Sequence, residues 1–92
     1  MSMHPHKDIE FAVSSGERPT QYFKKWEKAV ALAFAFSASR GGEEAVIDVL
    51  VHSREGARHW LGDAGVEMYN EDPDASVFQR LSLRGRDLGR IP

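Results

Sequence analysis

TQYFKKWEKAVALAFAFSAS, residues 20–39, can be read as a helix or as a strand, and the rest of the fold follows from the choice. At about 100° per residue, Tyr22, Phe23, Trp26, Val30, Ala33, Phe34 and Ser37 share one face, with Lys24, Glu27 and Lys28 opposite. The segment AVALAFAF also alternates, as a strand would. Its alanines favour helix, and the amphipathic first half agrees. The spacing therefore predicts a long helix over 20–39. Pro19 and Thr20 would start it, and Gly41-Gly42 would end it.

The second half of this helix has no charge from Ala29 to Ser39. A helix that is apolar all round is normally covered all round. A chain of 92 residues supplies little to cover a second face, since domains this short bury only roughly 60–65% of their unfolded surface. Ala31, Leu32, Ala35, Phe36 and Ala38 are accordingly expected to be a self-association face, most simply in a homodimer. Ala31→Glu or Ala35→Glu would then separate the copies.

Strands are expected on either side. DIEFAVS (8–14) puts Ile9, Phe11 and Val13 on one side, the period-two pattern of a half-buried strand. EAVIDVLVH (44–52) is rich in β-branched residues and almost continuously apolar, which suits a central strand covered on both faces. Ile47, Val49 and Val51 would point one way, and Val46, Asp48, Leu50 and His52 the other. In SVFQRLSLR (76–84), Val77, Leu81 and Leu83 should face the core, with Phe78, Arg80, Ser82 and Arg84 outward. Between these last strands lies HSREGARHWLGDAG (52–65). Ser53 can cap a short helical turn with Glu55 near its positive end. Gly62 would close that turn, and Asp63 would cap a second one carrying Val66 and Tyr69 inward.

The expectation is one α+β domain over residues 1–92: a three-stranded sheet in β-α-β-α-β order, the long helix on one face, and a short helical connector before the last strand. If the first two strands are adjacent, a right-handed crossover would make them parallel. Residues 1–7 and 85–92 would be flexible ends.

Composition narrows the chemistry. There is no cysteine, which removes disulfides, thiolate metal sites and thiol nucleophiles. A net charge of −2 argues against a dedicated duplex-DNA binder. No uncharged run approaches the roughly 20 residues of a membrane span, so no membrane association and a cytoplasmic setting are expected. No glycine pattern matches a phosphate loop. No cofactor and no resident metal are expected.

Several polar groups remain as candidates. Asp48, His52, His59 and Asp63 carry the side chains of a general-base pair or a divalent-metal site, but too few in sequence proximity to complete one. Ser53 beside His52 or His59 lacks a nucleophile elbow, and an N-cap role is sufficient for it. Ser2-Met3-His4, with a free Ser2 amine, would suit Cu(II) or Ni(II). Phe78, Arg80 and Arg84 alternate as an arginine/aromatic face of the kind that binds single-stranded nucleic acid, disfavoured by the acids of 63–74. The leading expectation is a non-catalytic interaction module that self-associates, its other protein partner unidentified. An accessory nucleic-acid binder comes second, and a small metal-dependent or hydrolytic enzyme around Asp48, His52 and His59 third.

Overall fold

The computed structural model describes residues 5–38, 44–75 and 77–83. The Ser2-Met3-His4 motif, the Gly41-Gly42 helix stop, Arg84 and the 85–92 tail lie outside them. Strand β1 (Ile9–Ser14) forms where the alternation predicts it, with Ile9, Phe11 and Val13 buried on one face. Gly16, at φ 54°, turns the chain, and the Arg18 amide donates to the Ser15 carbonyl at 3.0 Å. A positive φ costs glycine nothing, and it reverses β1 within a few residues.

The chain then departs from expectation. Gln21–Phe23 is a short strand, β2, paired antiparallel to β1 through Phe11–Phe23, Ala12–Tyr22 and Val13–Gln21. Pro19 and Thr20 lead into this strand and do not start a helix. Pairing satisfies backbone groups along one edge of β1, and it separates two aromatics that a helix would place side by side. Phe23 turns toward the core, whereas Tyr22 stays 60% exposed. Helix α1 (Trp26–Ser37) begins after them, with Lys25 extended at its N-cap and no side-chain cap bond.

Strand β3 (Ala45–Val51), helix α2 (Arg54–Glu71) and strand β4 (Gln79–Leu83) complete the chain order. The sheet is four-stranded, β2-β1-β3-β4, with every neighbouring pair antiparallel. The α+β class is as expected; the three-stranded sheet and the β-α-β-α-β order are not. β1 and β3 are adjacent yet antiparallel, because β2 reverses the chain before α1 begins. The crossover helix instead joins β2 to β3, which are parallel to each other with β1 between them.

Both helices lie on the face that carries Ile9, Phe11 and Val13 of β1 and Ala45, Ile47, Val49 and Val51 of β3. β3 is central, but it is covered on one side only. Val46, Asp48 and Leu50 are half-buried on the other, open face. From α1, Ala29, Ala33 and Ser37 reach the sheet at intervals of four residues, and their small side chains let the helix approach closely. Ser37 Oγ donates to the Leu83 carbonyl at 2.7 Å. Phe11, Trp26 and Trp60 make a three-ring cluster with centroids 5.3–5.4 Å apart, in edge and tilted contacts favoured by aromatic quadrupoles. Trp60 is 1% exposed, and its Nε1 donates to Gln79 Oε1 at 2.7 Å. That bond ties α2 to the start of β4.

The expected pair of helical turns is present within α2 as two helical segments, broken at Gly62 (φ 65°, ψ −145°). Ser53 caps the first as anticipated, its Oγ accepting from the Gly56 amide at 3.0 Å. Beyond the kink, Gly65 is buried, and a Cβ there would run into the Ala57 carbonyl. In β4, Leu81 and Leu83 face the core while Arg80 and Ser82 are exposed. Phe78, expected outward, packs against the core, and its amide donates to the Val49 carbonyl at 2.8 Å just ahead of the regular ladder. Among the described residues β4 pairs with β3 alone, so its far side is an edge. No helix among them is long and apolar enough to cross a membrane.

Candidate functional site

The four polar candidates have different partners. Asp48 on β3 stands opposite Arg80 on β4 in the ladder. Arg80 Nε and Nη2 donate to its two carboxylate oxygens at 2.7 and 3.3 Å, a forked pair that raises the guanidinium pKa further. His52 shares that sheet face, but the carboxylate beside it is Glu10, at 4.0 Å. His59 lies on α2, its ring 4.9 Å from that of His6 and tilted by 43°. Asp63 is exposed just past the kink. Among the described residues no three His, Asp or Glu side chains form a set that could hold a metal ion.

A second polar cluster, centred on Asp8, joins the start of β1 to the start of α2. Ser53 Oγ donates to Asp8 Oδ2 at 2.7 Å and accepts from Gly56. The Asp8 amide donates to His6 Nδ1 at 3.0 Å, and the His52 amide donates to the Asp8 carbonyl at 2.8 Å. The Ser53 hydrogen bond holds the Asp8 carboxyl below its ordinary range. Partial burial opposes this, and Lys7, His6 and His52 add smaller attractions. These bonds constrain the chemistry. The Ser53 proton goes to a carboxylate and its lone pair to a helix amide, so no imidazole activates it. The His6 Nδ1 lone pair is already engaged by a backbone donor, which denies that nitrogen to a metal. The cluster therefore fastens α2 to β1. Sequence pattern offers no route to it, because Asp8 and Ser53 are 45 residues apart.

The third feature is apolar. One flank of α1, with Trp26, Val30 and Phe34, forms a groove against Ile47, Leu81 and Leu83. Its volume is about 190 Å³, below the roughly 300–1,000 Å³ of small-molecule sites, so it suits a side chain better than a ligand. Phe34 rises beside it, 37% exposed. Of the face anticipated from sequence, Ala31, Ala35 and Ala38 are exposed, whereas Leu32 and Phe36 pack against the core. The Arg18 guanidinium lies 4.7 Å from the Phe36 ring centroid. Phe34, which periodicity assigned to the inward face, is instead exposed. Ala29, Ala33 and Ser37, small residues four apart, were the available sign that the buried stripe lay to one side of it.

A larger notch of about 780 Å³ lies along Ser14–Arg18, Glu44 and Val46. It is wide open: Gly16, Glu17, Arg18 and Glu44 are all exposed, so a ligand there would keep most of its hydration. Of the arginine/aromatic face, Phe78 is packed against the core, Arg80 is paired with Asp48, and Arg84 lies outside the described residues. No protein-family model, no curated protein and no solved structure matches the chain.

Proposed function

We propose that this protein is a small non-catalytic interaction module that self-associates through the uncharged half of α1. One observation carries the reading: Phe34 stands exposed beside an apolar groove, within a run from Ala29 to Ala38 that contains no charged side chain. An exposed apolar knob next to an apolar hole is a surface that a second copy can match. A reducing, cytoplasmic setting fits a chain without cysteine. The engagement of Arg80 by Asp48 and the packing of Phe78 weigh against the nucleic-acid reading.

Sedimentation velocity across a concentration series tests the proposal. The expected result is a mass that rises toward twice 10.3 kDa with concentration, and a monomer at every concentration for Phe34→Glu. Burying an unpaired carboxylate at the contact would cost several kcal/mol, more than a small interface supplies. A wild-type protein that remains monomeric throughout sinks the reading.

A further inference from the structure

Resting on that reading, we infer that the two copies join edge to edge through β4, making one continuous eight-stranded antiparallel sheet with the α1 flanks of both copies closing over the seam. The occupant of the groove is a second copy of this chain.

The two sheet edges are unequal. β2 is three residues long and flanked by Pro19, Lys24 and Lys25, the features that keep an edge from pairing with another chain. β4 runs five residues, Gln79–Leu83, without proline or lysine. Its one charge, Arg80, is already matched by Asp48 on the open face, so no uncompensated charge opposes a second strand there. The apolar groove lies on the β4 side of α1, so the edge of β4, which no strand pairs with among the described residues, and the exposed Phe34 are parts of one surface. A two-fold axis perpendicular to the sheet and close to Leu81 pairs β4 with its copy. It keeps both pairs of helices on the same side and brings Phe34, Leu81 and Leu83 of each copy toward the groove of the other.

Size sets the strength. β4 is about 17 Å long, α1 about 18 Å, and strand edge plus helix flank are roughly 20 Å wide. The footprint of about 350 Å² per copy is well under the roughly 800 Å² of a standard interface. The pairing is therefore expected to be weak and reversible, with the copies separating on dilution.

Because the chain has no cysteine, single spin labels report the geometry. Ser82→Cys and Tyr22→Cys place labels at exposed positions on the inner and outer strands. An edge-to-edge dimer puts the Ser82 labels within about 10 Å, giving dipolar line broadening, and the Tyr22 labels roughly 35 Å apart across seven strand spacings. Docking through the outer surface of α1 would instead hold the two sheets roughly 30 Å apart and leave the Ser82 spectrum unbroadened. A concentration-dependent dimer with the first pair of signals supports the inference. A dimer without Ser82 broadening overturns the edge geometry while leaving self-association standing. A monomer at millimolar concentration removes both. Hydrogen exchange gives a label-free check: amides of residues 79–83 should slow with concentration if the edges pair, and should not change if they do not.

Discussion

Gly62→Ala isolates the cost of one backbone conformation. Gly62 sits at φ 65°, ψ −145°, a region that residues with a side chain rarely enter, and a Cβ there meets no atom within 4 Å. No clash contributes, so the penalty is backbone strain, about 1–3 kcal/mol. Alanine also restricts the unfolded chain, which returns about 0.4–1 kcal/mol. The net loss is centred near 1.5 kcal/mol, a substantial part of the roughly 5–14 kcal/mol typical of a domain this size. Thermal unfolding by circular dichroism should fall by roughly 6–12 °C. Urea unfolding should show a lower midpoint at unchanged slope, because the same surface is exposed. If Gly62→Ala unfolds at the wild-type temperature or above it, α2 does not kink at this residue, and the folding-back that buries Gly65 against Ala57 is wrong.

Two further tests concern the fastening of α2. In a double-mutant cycle with Trp60→Phe and Gln79→Ala, the coupling should be about 1 kcal/mol, the usual net value of a neutral hydrogen bond; additive losses would mean that the bond does not hold α2 to β4. For Asp8, the folded carboxyl titrates below its unfolded value, so its contribution is present above the unfolded pKa and disappears as pH falls through the folded one. The stability gap between wild type and Asp8→Asn should therefore hold from neutral pH down to about 4 and shrink below that. A gap that is constant to pH 2 in equilibrium unfolding would refute the charge-assisted role of the Ser53 bond.

Local rules were sufficient wherever an element was long enough to repeat its own period. The alternation of Ile9, Phe11 and Val13 identified β1, and the β-branched run from Ala45 to Val51 identified a central strand. The Ser53 cap and the Gly62 break could be read because each depends on neighbouring residues. β2 could not be read. Three residues hold no period, and Tyr22 and Phe23 fit the helical face that begins again at Trp26. That one short strand reverses the direction of β3 relative to β1, so a small local omission became an error in topology. The polar contacts were equally invisible. Asp48 meets Arg80, and Asp8 meets Ser53, only because strand register and helix docking close gaps of 32 and 45 residues. By itself the sequence determined the α+β class, the apolar content of α1, the inward face of β1, the two alternating faces of β3 but not which of them is covered, and the absence of thiol chemistry. Tertiary structure alone decided which side of α1 is covered. Close approach of Ala29, Ala33 and Ser37 to the sheet turned Leu32 and Phe36 toward the core and left Phe34 beside the open edge of β4. A helical period defines a set of faces, and contact with the rest of the chain selects the one that is buried.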